Sequence, residues 1–259
     1  IYYQTPVINN ESINKNIVPT VAVNSRTKLT TAILESDTVK ENLGLTGTGQ
    51  DVSFMRSTLI QTGILKENDG RFIFDLQPED QKMRNVLNVI STFFRGTAVD
   101  GEKSFDKLYY ELTSAEGGIG LKRGVIPIYL AVVLNSVKKD VVIRNKNAEV
   151  KITSDLLNSI NQSPSESSAV MEDWSEDKQN YLRRLEDVFS DTIVEREKSY
   201  NSFAYITLAM NRWYMSLPRC AKEMTVYYDT DAKLPLEYVK FVNSLKQPGS
   251  NSREYLIEQ

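Results

Sequence analysis

The sequence predicts an α+β, mainly helical protein: two winged-helix-like units plus a helical C-terminal portion. Two stretches, residues 50–74 and 118–153, each combine a helix-like segment with a strand–turn–strand pattern. A helix followed by a hairpin is the closing half of a winged-helix unit. The predicted divisions are a connector at 1–20, the first winged-helix-like unit at 21–96, the second at 102–165, and the helical C-terminal portion at 170–259.

The first unit follows a polar, Asn-rich opening segment in which Pro6 and Pro19 interrupt regular secondary structure. Its predicted elements are helices at about 24–35, 37–43 and 50–62, strands at 64–66 and 71–74, and a further helix at about 79–94. Asn68-Asp69-Gly70 favours a tight turn between the strands, because Asn and Gly tolerate positive φ. Gly96 and Gly101 indicate the loop that ends this unit.

The second unit begins with an apolar stripe on a short helix, at Phe105, Leu108, Tyr109 and Leu112. A Gly-rich loop at 117–124 precedes a helix at 126–137, whose Pro127 is harmless in the first turn. Because that helix is apolar nearly all round, we expect it in the centre of its core. Predicted strands at 141–143 and 149–152 flank a polar turn. A short helix to Ile160, with Ser154 or Asp155 as its expected cap, and a Ser-rich loop at 161–168 follow.

The C-terminal portion has helical periodicity at about 175–198, 202–215 and 235–245. Tyr200, Phe203, Tyr205, Trp213 and Tyr214 form an aromatic group there. Such side chains can stack bases or bind a partner, but helical spacing favours a core position.

Charge is distributed unevenly along the chain. The net charge is −3, yet residues 121–151 contain seven basic residues and two acidic ones, a local balance of +5. Residues 172–198 contain nine acidic residues and five basic ones, a balance of −4. A local basic patch matters more for a polyanionic partner than the total charge does.

The basic residues at the helix ends and hairpins are the candidate nucleic-acid contacts. Base-specific recognition is not expected, because the first hairpin-preceding helix has balanced charge and the second is apolar. Contact with DNA would therefore be electrostatic and without sequence preference. The candidate residues are Lys122, Arg123, Lys138, Lys139, Arg144, Lys146, Lys66 and Arg71.

Several classes of site are excluded or disfavoured by composition. With no histidine, Ser-His-Asp and Cys-His catalysis and imidazole metal sites are absent. Cys220 is the single cysteine, which excludes an internal disulfide. The acidic run 172–177 fits a helix start better than a cation site, and no Walker A spacing accompanies the glycines. No catalytic residue, cofactor or metal is therefore expected.

The chain has neither a 20-residue apolar run nor a signal-peptide pattern, so we expect no membrane association and a cytoplasmic location. It also begins without Met. We therefore expect an excised piece of a larger protein.

The segments Gly120–Pro127 (GLKRGVIP) and Trp213–Pro218 (WYMSLP) carry a resemblance to a known group of proteins. From about Phe105 onward, the chain resembles regions downstream of the ATPase domain in very large bacterial P-loop proteins of BREX-type phage-defence loci. The resemblance implies an accessory region of an NTP-driven machine acting in DNA defence. The Walker residues that define such ATPases are absent here, so no ATPase role carries over.

The predicted function is therefore that of a non-catalytic binding or coupling region, contacting the DNA backbone or partner subunits. A pure protein–protein scaffold is the first alternative. A carboxylate-based, metal-dependent nuclease or hydrolase is the second, and it would need several Asp and Glu side chains converging in a cleft.

Overall fold

The computed structural model describes residues 3–114, 119–146, 148–198, 202–227, 229, 232–246 and 252–257. It divides the chain into an N-terminal unit, Ile1–Asp173, and a C-terminal unit, Trp174–Gln259. Helices predominate in both, and small antiparallel sheets lie in the first, so the predicted α+β, mainly helical fold class is confirmed.

The N-terminal unit contains six α-helices and six strands within its described residues. The helices are α1 (Thr20–Leu34), α2 (Gln50–Met55), α3 (Gln81–Asp100), α4 (Phe105–Thr113), α5 (Ile126–Val137) and α6 (Ser154–Gln162). The strands are β1 (Leu65–Asn68), β2 (Arg71–Phe74), β3 (Lys103–Ser104), β4 (Val141–Asn145), β5 (Ala148–Val150) and β6 (Ser167–Met171). A 3-10 turn spans Glu41–Gly44, and a π-helical turn, Arg56–Ile60, continues α2.

Both predicted hairpins are present. β1 pairs with β2, and Asp69 and Gly70 adopt positive φ between them, as the turn chemistry predicts. β4 pairs with β5, but it also pairs along its whole length with β6. The second hairpin is therefore part of a four-stranded antiparallel sheet in the order β3-β6-β4-β5. The winged-helix assignment itself stays a prediction.

The core of the N-terminal unit is built around α5. Residues 126–134 of this helix are all buried, and α5 packs against α1, α3 and α6. Nine consecutive buried residues leave no polar face, which confirms the predicted central position.

Several element boundaries differ from the predicted ones. Gly96 lies inside α3, which continues to Asp100 and ends at Gly101 with φ +81°. Thr153, rather than Ser154 or Asp155, caps α6. The predicted Ser-rich loop at 161–168 contains the start of β6. A 3-10 turn replaces the short helix predicted at 37–43.

The segment predicted as a connector is packed onto the N-terminal unit. Ile13 is fully buried and Ile8 is 7% exposed. The Gly124 N–H donates to the carbonyl oxygen of Lys15 at 2.8 Å. A β-carbon on Gly124 would lie 2.1 Å from the Ile13 carbonyl oxygen, so only glycine permits this approach.

The C-terminal unit is helical. Its helices are α7 (Glu176–Val188), α8 (Ser202–Ser216), α9 (Arg219–Glu223), α10 (Leu236–Lys246) and α11 (Ser252–Ile257). Helix α8 contacts α7, α10 and α11, and it buries Phe203, Ile206 and Met210. The long helix predicted at 175–198 ends at Val188, because Phe189 turns into the core and 3-10 turns follow.

Candidate functional site

The basic residues beside α5 do not form one patch. Lys122 and Arg123 precede the helix, whereas Lys138 and Lys139 follow it. At 1.5 Å rise per residue, a 12-residue helix separates these pairs by about 18 Å along its axis. The two ends would therefore contact different phosphates of any nucleic acid.

Lys138 is removed from the predicted contact surface. Its side chain is 7% exposed, and its ammonium donates to the Leu34 carbonyl oxygen at 2.7 Å and to Asp37 at 3.2 Å. The C-terminal carbonyl groups of a helix favour a cation, and α1 ends at Leu34. Lys138 therefore stabilises the junction of α1 and α5, and a buried ammonium cannot reach a phosphate.

Three hairpin cations are ion-paired. Lys66 lies 2.6 Å from Asp75, Arg144 lies 2.6 Å from Glu102, and Lys146 lies 3.5 Å from Glu166. Each pair reduces the positive potential that a phosphate would meet. Partial burial raises the pKa of Asp75, but the hydrogen bonds from Lys66 and from the Gln77 N–H outweigh it and hold that pKa below its ordinary value.

The other candidate cations differ in their surroundings. Lys122 and Arg71 are exposed, with no ion-pair partner among the residues that the structure describes. The Arg123 guanidinium lies 5.5 Å from the centre of the Tyr109 ring, in a cation–π contact. Lys139 is exposed at the end of α5. Lys122 and Arg123 share the loop before α5, whereas Arg71 lies on β2 and Lys139 follows α5, so the sequence-predicted basic residues are divided among several elements.

The segment 50–61, which lies within the helix predicted at 50–62 before the first hairpin, carries a polar surface that sequence reasoning overlooked. The Asn10 side-chain N–H groups donate to the hydroxyl oxygens of Ser53 and Ser57, each at 3.2 Å. The N-terminal segment therefore lies on the Ser53 and Ser57 side of this helix. The signal in the sequence is the serine pair at i, i+4, which places both hydroxyls on one face.

A cavity of about 350 Å³ lies at this junction. Its polar lining includes Asn9, Asn10, Ser53, Arg56, Ser57 and Gln61. A wider groove of about 740 Å³ lies elsewhere in the unit, between α1 and the turn 41–44. Its wall includes Leu43, which adopts an uncommon left-handed conformation with φ +55°.

Arg26 is a buried charged residue of the N-terminal unit. Its guanidinium donates to the Gly124 carbonyl oxygen at 3.0 Å and to the Asn158 side-chain oxygen at 2.8 Å. Burial lowers the pKa of Arg26, and the nearby Tyr109 opposes that shift. These bonds join α1 to α6 and to the loop before α5, so Arg26 has a structural role.

In the C-terminal unit, the acidic run begins a helix as predicted. Ser175 caps α7 through the Lys178 N–H, and Glu176 and Asp177 occupy its first turn. Trp174 stacks on Phe203 with ring centres 5.3 Å apart. Phe203, Tyr205 and Tyr214 are buried, as the core interpretation predicts, and Tyr200 lies outside the described residues.

The same unit also exposes large apolar side chains. Met215 is 67% exposed and Leu236 is 62% exposed. Between residues 208 and 241 the others are Leu208, Met224, Val226, Tyr227 and Phe241. Val226 pairs with Lys233 in a short antiparallel bridge, which brings these two residues of the region together.

Within the described residues, no group of three or more Cys, Asp and Glu side chains is arranged to hold a metal ion. Every helix in that part of the chain is too short or too polar to cross a bilayer. Comparisons with protein families, curated proteins and solved structures found no match for this chain.

Proposed function

We propose that this chain is a non-catalytic binding module of a larger bacterial protein and that its C-terminal unit contacts a partner protein. The observation that carries the proposal is the exposed apolar surface at residues 208–241, defined by Leu208, Met215, Met224, Val226, Tyr227, Leu236 and Phe241. Large exposed apolar groups in one region are typical of protein interaction sites.

The resemblance of residues 120–127 and 213–218 to BREX-type proteins supports a setting for this module. In that setting the larger protein acts in cytoplasmic phage defence, and the chain couples an ATPase-containing protein to another subunit. The WYMSLP segment includes Met215, so the resembling residues overlap the exposed apolar surface.

Affinity capture from a bacterial lysate, read by quantitative mass spectrometry, tests the proposal. The bait is the whole chain, compared with a Met215→Ser/Leu236→Ser variant. The control is Val7→Ser/Val99→Ser, which changes two exposed apolar residues of the N-terminal unit. We expect one partner to be retained by the wild type and the control and lost by the C-terminal variant. Equal retention by all three baits would contradict the proposal.

Contact with the DNA backbone is the second candidate. It is favoured by the exposure of Lys122, Arg71 and Lys146. Their substitution by Ala is expected to weaken binding of a 30-bp duplex and to reduce its salt dependence. Lys82→Ala, at the exposed start of α3, is the matched control. Salt-independent binding, or none at low salt, would exclude this candidate.

A further inference from the structure

The cavity between the N-terminal segment and the helical segment 50–61 has the composition of an anion site. Its lining combines side-chain amides, hydroxyls and one guanidinium, and it includes no carboxylate. Its volume of about 350 Å³ falls at the lower end of the roughly 300–1,000 Å³ typical of small-ligand sites. The lining offers hydrogen-bond donors and one positive charge, which suits a small oxyanion.

Asn10 fixes the two serines at the base of this cavity. The Ser57 hydroxyl is committed, because it donates to backbone carbonyl oxygens of the preceding turn. The Ser53 hydroxyl accepts from Asn10 but donates to no group among the described residues. Its proton therefore remains available to a ligand.

Arg56 supplies the charge. Its side chain is exposed, and its guanidinium has no hydrogen-bond or ion-pair partner in the described part of the chain. A guanidinium presents five donors in a planar fork that matches the oxygens of a phosphate. The Arg56 guanidinium therefore remains available to a ligand. The Lys138 ammonium and the Arg26 guanidinium, in contrast, donate to backbone carbonyl oxygens of the protein.

The backbone at Arg56 is also unusual. The Gln61 N–H donates to the Arg56 carbonyl oxygen at 2.9 Å, five residues back, which closes a π-helical turn. Such turns are rare and frequently occur at functional sites. This one starts at Arg56 and ends beside Gln61, so it lies in the wall of the cavity.

We propose that this cavity binds a phosphate group, held by the Arg56 guanidinium and the Ser53 hydroxyl, with Asn10 as a positioning residue. The phosphate can belong to a small phosphorylated molecule or to a nucleic-acid backbone, since both present the same oxygens. The proposal concerns the N-terminal unit, so it stands or fails separately from the partner surface of the C-terminal unit.

Titration calorimetry of the whole chain with inorganic phosphate tests this site. We expect saturable binding, weakened about tenfold or more by Arg56→Gln, because the variant loses the charge-assisted hydrogen bonds between guanidinium and phosphate. Ser53→Ala should weaken binding to a smaller extent. Arg95→Gln, at an exposed arginine of α3 outside the cavity, should bind like the wild type.

A 30-bp duplex added as competitor distinguishes the two sources of phosphate. Displacement of inorganic phosphate, together with loss of duplex binding in Arg56→Gln, identifies a nucleic-acid backbone. Phosphate binding that the duplex leaves unchanged identifies a small phosphorylated molecule. Absence of saturable phosphate binding, or equal binding by wild type and Arg56→Gln, would overturn the proposal.

Discussion

Helix α5 of the N-terminal unit buries nine consecutive residues, whereas α7 of the C-terminal unit buries Leu182 alone among its residues. One buried cluster of the N-terminal unit includes residues from Ile8 to Ala169. In the C-terminal unit, α8 is the helix against which α7, α10 and α11 pack.

Under the proposed function, this difference gives the two units different tasks. Close packing around α5 produces a rigid scaffold, since dense cores have few alternative arrangements. In the C-terminal unit, exposed Met215 and Leu236 leave apolar area for a partner. Substitutions matched between the two units test this difference.

The largest change in the free energy of unfolding is expected from a substitution in the core around α5. Leu130→Ala should lower the free energy of unfolding by about 2–5 kcal/mol, because it leaves a cavity in fully packed surroundings. Leu182→Ala should cost less, since α7 has few buried neighbours that would border a cavity. Urea denaturation followed by circular dichroism measures both. Equal losses would mean that the two cores are equally dense.

The next effect concerns the buried arginine. Arg26→Leu should cost about 1–3 kcal/mol, because it leaves the buried Gly124 carbonyl oxygen without this donor and also removes the hydrogen bond to the half-buried Asn158. Arg95→Leu, on the exposed face of α3, should stay within about 0.5 kcal/mol of the wild type. The same denaturation measurement applies. An Arg26→Leu protein as stable as the wild type would show that this network is dispensable.

Tyrosines of the two units should respond differently to removal of the hydroxyl. The Tyr205 hydroxyl donates to Glu186, so Tyr205→Phe should cost about 1 kcal/mol. The buried hydroxyl of Tyr129 has no partner within the described residues, so Tyr129→Phe should be neutral or stabilising. Thermal unfolding of both variants at pH 7 measures the contrast. Destabilisation by Tyr129→Phe would reveal an unrecognised partner.

The pH dependence of stability provides a second measurement on Tyr129. Burial raises the pKa of Tyr129, so the folded form keeps its proton above pH 10, where the unfolded tyrosine loses it. Stability must therefore fall as pH rises above about 10, by about 1.4 kcal/mol per pH unit for this residue. Tyr129→Phe should make the fall shallower by that amount. Identical slopes would contradict the burial-raised pKa.

The smallest effect on stability is expected at the exposed apolar surface. Leu236→Ser should change the free energy of unfolding by no more than about 0.5 kcal/mol, because the side chain is 62% exposed. A larger loss, measured by thermal unfolding, would mean that Leu236 supports the C-terminal unit itself rather than a partner contact.

Local patterns predicted α5 and both hairpins well. Helix α5 has the same limits in the sequence prediction and in the structure, and the turn at Asp69 and Gly70 is where its chemistry indicates. In each case the deciding information lies within a few residues: an unbroken apolar run, an N-terminal proline, or a turn glycine.

The features that were missed depend on distant partners. The sequence predicts that Ile13 belongs to a polar connector, but in the structure Ile13 is fully buried and Gly124 packs against this segment. The sequence predicts that Lys138 is a surface cation, but in the structure its ammonium donates to the Leu34 carbonyl oxygen at the end of α1. The short, Ser-rich β6 becomes a strand by pairing with β4. Of the candidate site, the basic residues were identified from sequence, but their pairing and dispersal were not.

The contact between Gly124 and the segment at Ile13 and Lys15 can form during biosynthesis only after Gly124 has been added to the chain. A ribosome that adds about 5–20 residues per second makes Ile13 roughly 5–20 s before Gly124. During that interval the carbonyl groups of Ile13 and Lys15 lack their native neighbour Gly124. This segment therefore reaches its native packing only after about a hundred further residues have been added.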